Sequence, residues 1–78
     1  MLTVEFEDNS TVITALDTTG KHEDVQMILD EKEVWVRQWN TNTNMYDLVV
    51  ITHKQFDALL AAQSLPEGAY QFKKKKGR

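Results

Sequence analysis

His53 and Asp57 stand four apart in a stretch with helical spacing, which sets an imidazole and a carboxylate on one helix face. Such a pair can share a metal ion or pass a proton. No nearby residue offers a third ligand, and the other titratable cluster, His22-Glu23-Asp24, sits among turn-forming residues. Ser10 falls in a turn and Ser64 near a helix end, where serine serves local hydrogen bonding. There is no cysteine, so no thiolate nucleophile and no disulfide, and the three glycines are too scattered for a phosphate-cradling loop. The expectation is a protein that is not an enzyme, with no catalytic residue, metal or cofactor.

Recognition chemistry is better represented. Trp35, Arg37 and Trp39 alternate with Val34, Val36 and Gln38, so a strand there puts both indoles and the guanidinium on one side. Trp and Arg dominate binding hot spots because they add large contact area and planar hydrogen bonding. With a five-residue loop over 40–44, Trp39 faces Met45, Arg37 faces Asp47 as a cross-strand ion pair, and Trp35 faces Val49. Trp35, Arg37, Trp39, Tyr46 and Asp47 are therefore the candidate partner-binding residues. A first hairpin curling over this face would turn the rings into core; an open face would offer them to a partner or to a second copy of the chain.

The charge is sharply divided. Residues 1–72 carry all twelve acidic side chains against Lys21, Lys32, Arg37 and Lys54, a net of −8. Lys73, Lys74, Lys75, Lys76 and Arg78 then add +5 in the last six residues. Like charges with nothing apolar between them predict a disordered basic tail over 73–78, after a single domain over 1–72. Glu5, Glu7, Asp8, Asp17, Glu23, Asp24, Asp30, Glu31 and Glu33 form a candidate acidic surface for a basic groove on a larger protein. The same body repels a phosphate backbone, so nucleic acid is expected to enter only as the alternative, through aromatic stacking and the tail.

Four or five short strands and one helix must position these groups. Leu2, Val4 and Phe6 alternate with polar residues, and 11–16 is β-branched, so the two stretches read as a hairpin around Asp8-Asn9-Ser10. A two-residue loop sets Ile13 and Ala15 on the face of Val4; a three-residue loop sets Val12 and Leu16 there. Residues 25–29 read as a third strand, with a short helix as the alternative. Residues 34–39 and 45–52 are the strongest hairpin. Thr52-His53-Lys54-Gln55 is a capping box opening a helix over 53–63, and Pro66 and Gly68 close it. Residues 69–72 suggest a last strand or a segment against the sheet edge.

The fold class is thus α+β, an antiparallel β-meander with a C-terminal helix packed on one face. Its expected core is Leu2, Val4, Phe6, Ile28, Val34, Val36, Leu48, Val50, Phe56, Leu59 and Leu60. A cytoplasmic location, no secretion signal at residues 1–5 and no membrane span are expected. The small size, the lack of cysteine, the compact meander-plus-helix pattern and the charged tail resemble accessory proteins encoded by bacteriophages. That resemblance implies an inhibitor or modulator that binds a host protein, possible partners including one that handles nucleic acid.

Overall fold

A computed structural model describes residues 1–71 of the chain; the basic tail and Phe72 lie outside the described residues. Five strands run in sequence: β1 (Leu2–Glu7), β2 (Ser10–Ala15), β3 (Val25–Leu29), β4 (Val34–Asn40) and β5 (Met45–Ile51). Each pairs antiparallel with the next, and β1 and β5 are the two edges of an open sheet. The helix α1 (His53–Ala62) follows β5 directly. The α+β meander with a C-terminal helix is therefore the architecture of the chain. Residues 25–29 form a strand, because both neighbours offer antiparallel ladders that a five-residue helix would forfeit.

The first hairpin closes through Asp8-Asn9, with Glu7 opposite Ser10, and this two-residue loop places Val4 against Ile13. The second hairpin departs from expectation by one residue. Asn40 belongs to β4 and pairs with Met45, leaving four loop residues instead of five. Asn40 accounts for the difference: its side-chain oxygen accepts from the amide of Asn42 at 2.9 Å, and its carbonyl accepts from Asn44 at 2.9 Å. Asn44 adopts φ 57, a left-handed turn that asparagine tolerates. A one-residue slip flips every β5 side chain to the other face. Trp39 thus faces Tyr46, Arg37 faces Leu48 and Trp35 faces Val50. The expected Arg37–Asp47 pair does not form, and Asp47 lies on the opposite face from Arg37.

These registers sort the side chains into two unlike faces. One, here the apolar face, carries Leu2, Val4, Phe6, Ile13, Ala15, Val25, Met27, Leu29, Val34, Val36, Met45, Val49 and Ile51. Asp47 is its one charged member among the paired positions. The other, the aromatic face, mixes Trp35, Trp39, Tyr46, Val12, Ile28, Leu48 and Val50 with Arg37, Glu5, Glu7 and polar residues.

The helix begins on its capping box. The Thr52 hydroxyl accepts from the Gln55 amide at 2.9 Å, and the Gln55 side chain accepts from the Thr52 amide at 2.9 Å. Both bonds satisfy amides that the first turn otherwise leaves unpaired. Replacing Thr52 with Ala is expected to cost about 1 kcal/mol of stability, read as a lower midpoint in urea unfolding.

Burial corrects the expected core. Among the described residues Val34 alone is fully buried, at 0% exposure. Both its cross-strand partners, Leu29 and Ile51, lead toward the start of α1, and a ring nitrogen of His53 meets the carbonyl of Asp30. The helix therefore covers one corner of the apolar face. Ile28, Val36 and Phe56 are half-buried, whereas Leu2, Val4, Phe6, Leu48, Val50, Leu59 and Leu60 are exposed, Phe6 at 85% and Leu59 at 65%. A ten-residue helix is about 15 Å long and cannot span a five-stranded sheet roughly 20 Å wide. The expectation of a fuller core fails on that dimension. Residues 69–71 form no strand; the Tyr70 hydroxyl instead donates to the Pro66 carbonyl at 3.0 Å.

A candidate aromatic and acidic recognition site

On the aromatic face, a ladder of polar side chains crosses three strands. Gln26 donates from Nε2 to the Thr14 hydroxyl at 3.2 Å and accepts from Arg37 Nε at 2.8 Å. Held there, the Arg37 guanidinium lies over the Tyr46 ring, 4.4 Å from its centroid. Trp39 meets Tyr46 edge to face at 5.1 Å between centroids. Cation–π and edge-to-face contacts each add roughly 0.5–1.5 kcal/mol, so the three side chains fix one another before any ligand arrives. Trp39 stays 36% and Tyr46 48% exposed.

Trp35 does not join this cluster. Four residues along β4, it lies roughly 13 Å from Trp39, half-buried between Ile28 and Val50, with its indole donating to Glu33 at 3.2 Å. The two tryptophans therefore have different surroundings: Trp35 braces the sheet, and Trp39 borders an opening.

That opening is a shallow pocket of about 200 Å³ lined by Thr14, Glu23, Asp24, Gln26, Trp39 and Tyr46. The acids arrive from the β2–β3 connection, which Asp17 organises. Its carboxylate accepts from the amides of Lys21 at 3.1 Å and His22 at 3.0 Å and from the Thr19 hydroxyl at 2.9 Å. The Asp17 amide in turn donates to Asp24 at 2.8 Å, and Gln38 donates to the Glu23 carbonyl at 2.9 Å. The His22 amide and the Thr19 hydroxyl hold the Asp17 carboxyl down at about 2. A depressed carboxylate stabilises the fold above its unfolded value of 3.8, and that contribution is lost as pH falls toward 2. The Lys21 and His22 amides are expected to lose hydrogen-exchange protection over that interval, and Asp17→Asn to lose it at neutral pH.

The expected acidic surface is not continuous. Asp17, Glu23 and Asp24 lie at the sheet end that holds Trp39 and Tyr46. Glu7, Asp8, Asp30, Glu31 and Glu33 lie at the other end, where the first hairpin turn adjoins the β3–β4 turn, and Glu5 projects between them. Antiparallel strands put successive turns at alternate ends, which splits acids that are near-neighbours in sequence. Asp30 serves its own turn, accepting from the Lys32 and Glu33 amides at 2.8 and 2.7 Å, and the Glu33 amide leads in holding its carboxyl below the usual range. Glu23 and Asp24 beside aromatic rings were hard to foresee, because 15 residues and one strand crossing separate them from Trp39.

His53 is half-buried at the helix start, not solvent-exposed as its first-turn position suggests. Its Nε2 must donate to the Asp30 carbonyl, since a carbonyl only accepts. Among the described residues no group of three His, Cys, Asp or Glu side chains is arranged to hold a metal ion. No helix among them is long and apolar enough to cross a membrane.

No curated protein and no solved structure matches this chain. A family model described as Domain of unknown function (DUF8831) matches residues 3–62. The match runs from Thr3, the second residue of β1, to the end of the helix at Ala62, so it includes the aromatic pocket and excludes the basic tail.

Proposed function

We propose that this chain, which belongs to the DUF8831 family, is a non-enzymatic protein-interaction module that grips a basic partner at the Trp39–Tyr46 pocket. The observation that carries the reading is the pairing of aromatic faces with the Glu23 and Asp24 carboxylates around one opening. A lysine or arginine side chain satisfies both at once: its charge meets the carboxylates, and its alkyl stem lies on the Trp39 ring, while Arg37 already lies over Tyr46. A phosphate does not, because it would be set against two carboxylates. The net −8 of residues 1–72 adds long-range attraction for a basic surface and speeds encounter at low salt. Asp47 takes no part in this reading, and Trp35 acts as a brace.

The test is a nitrogen-15 NMR titration of the full chain with a lysine-rich peptide and, separately, with a single-stranded oligonucleotide. Saturable shifts confined to Thr14, Gln26, the Trp39 indole and Tyr46 with the peptide, weakened by salt, support the proposal. Shifts at those residues with the oligonucleotide alone sink it and favour nucleic-acid binding through stacking on the same rings. Repeating the titration without residues 73–78 shows whether the tail contributes; on this reading the pocket shifts survive its removal.

A further inference from the structure

We infer that the apolar face of the sheet is closed by the same face of a second copy of this chain, giving a two-layer β-sandwich whose Trp39 pockets point outward on opposite sides. The inference stands on the face opposite the recognition site and does not depend on what that site binds.

Antiparallel sheets leave one face in water when that face is polar. Here most polar and charged positions lie on the aromatic face, and the opposite face is apolar at its paired positions except Thr11, Gln38, Asn40 and Asp47. The helix covers only the Val34 corner, so Val4, Phe6, Met45 and Val49 remain at least half exposed. A soluble monomer rarely shows a contiguous apolar patch of that extent.

The surface area points the same way. The chain exposes 6924 Å², whereas a compact protein of its mass exposes about 4,900 Å². The seven residues beyond Gln71 account for at most about 1,300 Å² of this, by the scaling for an extended chain. A compact chain with the mass of the described residues alone exposes about 4,500 Å². The described part therefore shows roughly 1,100 Å² more, shared between this face, the helix and the connections, against the ~800 Å² each partner gives to a standard interface.

A second copy fits better than a foreign protein for three reasons. The face offers a dissimilar surface few polar groups to read, Thr11, Gln38, Asn40 and Asp47 among its paired positions. A two-fold axis sets it against an identical face, so apolar area meets apolar area of the same size. Of the nine acids in residues 1–33, Glu5 and Glu7 project from the aromatic face and the other seven lie in turns at the ends of the sheet, so no acid stands within this face from β1 to β3. The lone charge, Asp47, stands near the hairpin end, where the Asn40 side chain donates to it at 3.2 Å and it can stay at a wet rim.

Sedimentation equilibrium of the full chain is expected to give twice the 9.0 kDa chain mass at micromolar concentration, with high salt leaving the dimer intact. Val49→Lys, on an exposed position of this face, is expected to halve that mass. Should that variant unfold, single cysteines decide the matter in a chain that has none. Met27 is the middle residue of the central strand and lies near any two-fold axis of this sandwich, so Met27→Cys is expected to form a disulfide-linked dimer on oxidation. Its neighbour Ile28 projects from the other face, and Ile28→Cys is expected not to. A monomer mass for the wild-type chain, equal cross-linking of the two cysteine variants, or a solution monomer that binds lipid vesicles instead would each overturn the inference.

Discussion

Replacing Val34 with Asp is expected to abolish the cooperative folded state. Val34 is the one fully buried side chain among the described residues, and its neighbours across both ladders are apolar. Enclosing a carboxylate without a partner costs several kcal/mol even after relaxation. A chain of this length has only about 4–12 kcal/mol to lose, and its small core puts it toward the lower end. Val34→Ala removes two carbons without adding charge and is expected to cost about 2 kcal/mol, through lost burial and the cavity left behind. Far-ultraviolet circular dichroism with urea titration separates the two: a shifted but cooperative transition for Ala, and no transition for Asp. An Asp variant that unfolds within 1 kcal/mol of the parent would show that the helix corner is not the structural anchor. The helix would then be a passive appendage of the sheet.

Replacing Trp39 with Ala is expected to weaken binding of a lysine-rich peptide about 30-fold or more, the loss typical of a hot-spot aromatic. The fold should survive, because Trp39 is partly exposed and its ring contact is with the still more accessible Tyr46. Trp35→Ala provides the contrast. That ring is half-buried between β3 and β5, so its loss should lower the unfolding midpoint and leave peptide affinity nearly unchanged once the chain is folded. Glu23→Lys should also weaken the peptide, and here the loss should shrink as salt rises, since screening already reduces the attraction it removes. If Trp35→Ala and Trp39→Ala weaken the peptide equally, the pocket is not the point of contact.

Both expectations rest on where residues lie in space, and the sequence disclosed that unevenly. Most elements were legible because they carry a local signal: alternation in β1, β-branched runs in β2 and β4, a capping box before α1; β3 was open between strand and short helix because five residues fix no period. The asymmetric charge was equally plain. The hairpin register was not legible. It depends on whether Asn40 spends its side chain on the turn or leaves it outside the ladder, a choice of one residue that decides which face Asp47 and Tyr46 occupy. Nor was the pocket, since Glu23 and Trp39 meet only because β3 turns back onto β4.

The sequence by itself determined the α+β meander, the aromatic strand and the acidic body with its basic end, because all of these follow from local spacing and composition. Only the tertiary structure decided that the acids divide between two ends of the sheet, that Trp39 and Trp35 have different surroundings, and that much of an apolar face is left exposed among the described residues. The physical reason is that period-two patterning says which residues share a face, while register and strand order say which faces meet. Hydrophobicity alone marked Leu2, Val4 and Phe6 for burial, and a single short helix at the far corner cannot bury them.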